Sequence, residues 1–162
     1  MKTYIGTKII KAEPAYKEID PYDGTTELVT HKEYPLGIKH LSSKAKDGYK
    51  VVYPDGYTSW SPKDVFEKAY RQFGSDKNTV TQADVDGFIA KKEVSTVKAN
   101  TTLVIVTLVN GFILTESSAC VDLTNYDQKY GAEICMKKIK DKIWFLLGFL
   151  LQCGVNGLNG GK

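Results

Sequence analysis

Polar and apolar residues alternate along some stretches of this chain and recur every three to four residues along others. The first pattern marks half-buried strands and the second marks helices. Tyr4, Ile5, Ile9 and Ile10 are β-formers and predict a strand over residues 3–12. Residues 13–47, broken by Pro14, Pro21, Gly24, Pro35 and Gly37, read as a long loop with one strand at 25–30. From residue 48, Tyr49, Val51 and Tyr53 alternate with Lys50 and Val52. Pro54-Asp55-Gly56 is a turn signature, and Tyr57, Ser59 and Trp60 complete a hairpin. Ser61 is the expected cap of a following helix, with Pro62 at its first position and Asp64 at its positive end. Val65, Phe66, Ala69, Tyr70 and Phe73 continue that helix, and Gly74 ends it.

A polar linker over residues 74–80 divides the chain into segments 1–75 and 76–162. In the second, Thr81 caps a short helix through Lys91, with Asp84 completing a capping box and Val85, Phe88 and Ile89 as its stripe. Residues 93–99 and 101–109 read as strands, and Asn110-Gly111 is a strong hairpin signal. A return strand follows at 112–116, a polar corner at 117–125, and a long helix over roughly 125–152. Its stripe is Ala132, Cys135, Met136, Ile139, Ile143, Leu146, Leu147 and Leu150. Beyond Ile143, the residues Trp144, Phe145, Phe149 and Leu151 make it apolar on every side, and such a helix must be covered all round. A small β unit covers one side, so a homo-oligomer through this helix is expected. The Gly- and Asn-rich tail from Gly154 is expected to fray. The fold class is α+β: an N-terminal β-hairpin-plus-helix module, then an antiparallel hairpin or meander packed on the long helix.

Composition narrows the chemistry. The net charge of +3 is too mild to announce a DNA-binding protein, and Arg71 is the only arginine, so bidentate arginine recognition is nearly absent. Three cysteines without a C-x-x-C pair argue against a disulfide framework or a zinc knuckle. His31 and His40 are the only histidines, which excludes chemistry needing several imidazoles. The start of the chain lacks a signal-peptide apolar run, and the apolar stretch around 143–151 is far short of the ~20 residues of a membrane span, so a cytoplasmic setting is expected.

No G-x-S-x-G, P-loop, G-x-G-x-x-G or H-E-x-x-H motif is present. His31 and His40 read best as surface histidines, and Cys120 as a structural thiol with no base near it in sequence. The corner from Phe112 to Asn125 is richer in polar groups than a turn requires: Glu116, Ser117, Ser118, Asp122, Thr124 and Asn125 cluster there. Capping of the long helix by Asp122, Thr124 or Asn125 explains at least one of them, but not Glu116 or Ser117. Lys137, Lys138, Lys140 and Lys142 form a second candidate. By spacing alone they are a solvated helix face; the sharper reading is that Lys138 and Lys142, four apart, receive phosphates at an interface. Phe112, Tyr126 and Trp144 are available to stack on a base or to fill the core. Tyr49, Tyr53, Tyr57 and Trp60 crowd one hairpin, which suits a recognition surface and an aromatic core about equally.

The stretch from Leu108 to Gln152 resembles the Gp49-like proteins of tailed phages and prophages. The likeness lies in Asn110-Gly111-Phe112, Glu116-Ser117 with Cys120-Val121, Asn125-Tyr126-Asp127, Gly131 and Lys142-Ile143-Trp144, and covers residues 94–152. Relatives carry a proline after the tryptophan; Phe145 stands there in this chain, so the helix is expected to run on. Residues 49–73 resemble a short module that precedes such domains in prophages of low-GC bacteria. Membership implies a phage accessory protein made in the host cytoplasm and supplies no activity. The order of hairpin, polar corner and basic helix is also similar to phage sponge proteins that sequester cyclic ADP-ribose-type signals of the Thoeris defence. That likeness implies an aromatic residue stacking the adenine (Phe112 or Tyr126), Asn125 holding it, and Lys142 or Lys138 gripping phosphate, where arginine is the more usual grip.

The expectation is therefore a non-enzymatic phage anti-defence protein that sequesters a small phosphorylated nucleotide. Its ligand residues would be Phe112, Glu116, Ser117, Asn125, Tyr126, Lys138 and Lys142. It needs no cofactor or metal, touches no membrane and pairs with itself. The alternatives are a protein-interaction module inhibiting a host enzyme through the tyrosine-rich hairpin, a weak nucleic-acid binder, and an unrecognised hydrolase.

Overall fold

A computed structural model describes residues 1–20, 22–31, 45–74 and 79–160. Contacts divide the chain into two compact units, Met1–Gln72 and Phe73–Lys162.

The first unit is a four-stranded antiparallel sheet in the order β2-β1-β3-β4, formed by β1 (Lys11–Ile19), β2 (Thr26–Thr30), β3 (Lys46–Val52) and β4 (Thr58–Pro62). Two strands besides the expected hairpin complete it: β2, where a strand is expected, and β1, shifted from the expected 3–12. The β1 strand lies almost wholly in the segment read as loop, whereas Tyr4, Ile5, Ile9 and Ile10 pair with nothing and stay outside the strands. Pro14 explains the misreading, because proline inside a central strand argues against one. It is tolerated because the registered pairing to β2 begins only at Ala15. The strand at 26–30 and the Pro54-Asp55-Gly56 turn match expectation, with Gly56 at φ +86°. His40 lies outside the described residues.

Ser61 does not cap the helix but lies within β4, opposite Tyr49; Pro62 closes the strand and occupies the cap position of α1 (Lys63–Ala69) without a side-chain bond. The helix stops before Gly74 because Tyr70 turns extended while its ring stays stacked on Phe66, 5.0 Å between centroids. Phe66 in turn stacks on Tyr49 at 4.0 Å, which seats α1 on the sheet. On the opposite face the Trp60 ring passes over Gly48, where any Cβ would lie 2.7 Å from it.

The second unit begins with α2 (Gln82–Gly87), held by the expected Thr81/Asp84 capping box. Asp84 also accepts from the Gly74 N–H at 2.8 Å. The helix ends at Gly87 and not Lys91, because Ile89 already opens β5 (Ile89–Val97). The antiparallel meander continues with β6 (Thr101–Leu108) and β7 (Ile113–Ala119), in the order β5-β6-β7. Gly111, at φ +83°, makes the tight β6–β7 turn. Ser117 to Ala119 belong to β7, so the polar corner is shorter than expected.

The long helix α3 runs from Gln128 to Asn156 without a break at Phe145 and past Gly154. Asp127 caps it, accepting from the N–H groups of Lys129 (2.7 Å) and Tyr130 (3.1 Å). The expected caps serve elsewhere: Asp122 caps the single turn Leu123–Asn125. Gly131, Cys135, Ile139, Ile143 and Leu147 form the buried stripe of α3 and meet Val104, Val106 and Leu108 of β6 and Val85 of α2. At ~1.5–3 kcal/mol for each large side chain buried, this stripe is the main stabilising element of the unit. The architecture is α+β, with the meander packed on the long helix.

Candidate functional site

The expected ligand residues fall into four separate places. Phe112 follows the hairpin turn and is exposed. Asn125 and Tyr126 lie beyond the far end of β7. Seven strand steps from Phe112 to Ala119 put the two ends ~23 Å apart at 3.3 Å per residue, so one chain cannot bring them to one ligand. Tyr126 is occupied in the fold: its hydroxyl lies 2.7 Å from Thr96 Oγ1 and 3.0 Å from Thr102 Oγ1. Ser117 pairs with Leu103, on the sheet face away from α3.

Glu116, Lys138 and Lys142 are the part that comes together. Glu116 is in register with buried Val104 and so faces α3. Its side chain is 17% exposed and forms an ion pair with Lys142, itself 49% exposed. Lys138 and Glu116 both act on the Cys135 thiol, which burial pushes above its ordinary pKa. On this flank Glu116 neutralises Lys142, which lowers its value as a phosphate grip.

The other flank of α3 faces α2. Lys140 Nζ is 2.8 Å from Asp86 Oδ1, and Gln82 Nε2 donates to the same oxygen at 3.1 Å. The Lys140 bond holds the Asp86 carboxyl below its ordinary pKa, with Gln82 helping. Beside this bridge lies an open hollow of about 370 Å³. Met136 and Trp144 give it an apolar wall, and Lys137, Lys140, Glu133, Asp141 and Gln82 line the rest. These α3 residues recur at intervals of three and four, which marks one helix flank in sequence. Nothing in that spacing told it from the flank of Lys138 and Lys142, because α2 supplies the difference.

In the first unit the tyrosine-rich hairpin divides between both of its readings. Tyr49 packs on Phe66, and its hydroxyl donates to Glu67 Oε1 at 3.0 Å; burial first, and then this bond, raise its pKa. Trp60 covers Gly48, while Tyr57 is exposed. His31 stacks on Tyr16 at 4.4 Å, and its Nε2 is 3.3 Å from Asp47 Oδ1, whose other oxygen meets Lys63 at 3.4 Å.

Residues 80–155 match the family described as Phage protein (N4 Gp49/phage Sf6 gene 66) family. The match runs from just before the α2 cap to one residue short of the end of α3. The second unit is a Gp49-like phage domain. The Gp49-like domain thus includes α2, which lies ahead of the resemblance legible from residue 94. No curated protein and no solved structure matches the chain. Among the described residues no helix is long and apolar enough to cross a membrane.

Proposed function

We propose that this phage protein binds a small phosphorylated nucleotide and holds it without turnover, in the hollow between α2 and α3 of its Gp49-like domain. The observation that carries the reading is the juxtaposition of Trp144 with Lys137 and Lys140 around about 370 Å³ of open space. An indole face stacks on a base. The Lys137 ammonium receives phosphate as a point charge, and Lys140, whose charge Asp86 partly offsets, is held at the rim beside it. Glu133 and Asp141 supply acceptors for base amino groups. The size falls within the ~300–1,000 Å³ of small-molecule sites. Lys140 and Lys142 each already pair with a carboxylate, Asp86 and Glu116, so Lys137 is the main phosphate seat of this reading. Sequestering a signal nucleotide of a host defence fits a phage accessory protein.

The test is calorimetry on the full chain with cyclic ADP-ribose isomers and cyclic di- and trinucleotides, followed by mass spectrometry of the recovered ligand. At least one ligand is expected to bind and to return unchanged. Lys137→Glu with Lys140→Gln should weaken it by roughly 10-fold or more, at ~1.4 kcal/mol per decade, while Lys138→Gln has little effect. Silence across the panel overturns the reading. An altered ligand mass overturns the claim of holding without turnover.

A further inference from the structure

The outward side of the last turns of α3 is uncovered. Phe145 is 75% exposed and Phe149 64%, with Leu146 and Leu150 beside them. Their spacing of one, four and five residues places them on one face. Gly148, three residues after Phe145 and one before Phe149, borders the phenylalanine side of this face, away from Leu146 and Leu150. Glycine inside a helix is unfavourable relative to alanine, so its presence calls for a reason. At Gly131 the reason is internal, since a Cβ would stand 2.4 Å from Thr102 Oγ1. At Gly148 a Cβ would meet nothing within 4 Å. The fold of one chain does not ask for this glycine; close approach of another helix does.

Charge selects the partner. From 129 to 142 the helix carries five lysines against Glu133 and Asp141, and from Ile143 to its end at Asn156 it carries no charge at all. Its last turn has no basic residue to meet the carbonyl end of the helix dipole. A second α3 running parallel would lay lysines on lysines. Running antiparallel, it lays the lysine-rich half of each helix against the uncharged, partially negative end of the other. We infer that this face takes a second copy of the same chain, its α3 antiparallel and crossing at Gly148, with Phe145 and Phe149 of each copy packed across the two-fold axis.

This contact lies outside the α2–α3 hollow, so it is tested without nucleotide. Sedimentation of the full chain over a concentration series should show a monomer–dimer equilibrium. Phe149→Glu should weaken it by roughly 100-fold, the loss typical of a central aromatic anchor. Gly148→Ala should raise the melting temperature of the monomer while weakening the dimer, a pair of opposite signs that misfolding cannot produce. Gly148→Cys should give a covalent dimer on mild oxidation, beyond any background from the native cysteines, and Val155→Cys should not. Monomer at all concentrations overturns the inference, whether the face is then covered by the first unit or by lipid. Equal cross-linking at both positions overturns the antiparallel sense.

Discussion

Gly131→Ala tests how closely α3 presses on the sheet. The added methyl would lie 2.4 Å from Thr102 Oγ1 and 2.8 Å from Thr102 Cβ, inside the 3.4 Å at which ordinary contact begins. Rotating Thr102 moves its oxygen but not its Cβ, and that oxygen is held by the Tyr126 hydroxyl at 3.0 Å. Thr102 is fully buried on the central strand, so the helix must lift. Overpacking of this kind costs ~1–3 kcal/mol. Loss of the Tyr126 bond adds ~1 kcal/mol. Alanine returns ~1 kcal/mol of helix propensity. The net is a destabilisation of ~1–3 kcal/mol, a fall of roughly 5–15 °C in melting temperature for a unit of this size. Circular dichroism at 222 nm on the full chain follows it, because α3 contributes 29 helical residues against 7 in α1 and 6 in α2. Dilution to where dimers dissociate removes the self-association term. A Gly131→Ala protein that melts higher than the wild type would refute the close packing of α3 on Thr102.

Lys142→Ala strands the Glu116 carboxylate, only 17% exposed, and should cost ~1–2 kcal/mol, whereas Glu116→Gln frees a lysine that reaches water and should cost less than ~1 kcal/mol; urea melts compare them. Asp86 has a lowered folded-state pKa through Lys140, so its contribution is complete above the ordinary value of 3.8 and is lost as pH falls through the lowered one. The melting-temperature difference between wild type and Lys140→Gln, present near neutral pH, should shrink towards zero in strong acid. Thiol labelling of the native protein should modify half-buried Cys120 first and leave Cys135 and Cys153 unmodified until unfolding, since both are buried and burial raises the Cys135 pKa.

Local chemistry made much of the second unit legible. Thr81 and Asp84 form a capping box with any backbone, Asn110-Gly111 turns a hairpin by itself, and the stripe from Cys135 to Leu147 keeps its spacing. Of these, Asn110-Gly111 and Ile143 also belong to the motifs that carried the family resemblance. Three things needed the tertiary structure. Pairing partners decided that Lys11–Ile19 is a strand despite Pro14 and that the β-formers before it are not. Strand length decided that Phe112 and Asn125 lie at opposite ends of the meander, a separation that nearness in sequence conceals. Most of all, the position of α2 decided which lysines border a hollow. Lys140 and Lys142 are two residues apart, yet one meets Asp86 on α2 and the other Glu116 on β7, because a 100° step around the helix sends near neighbours to different partners.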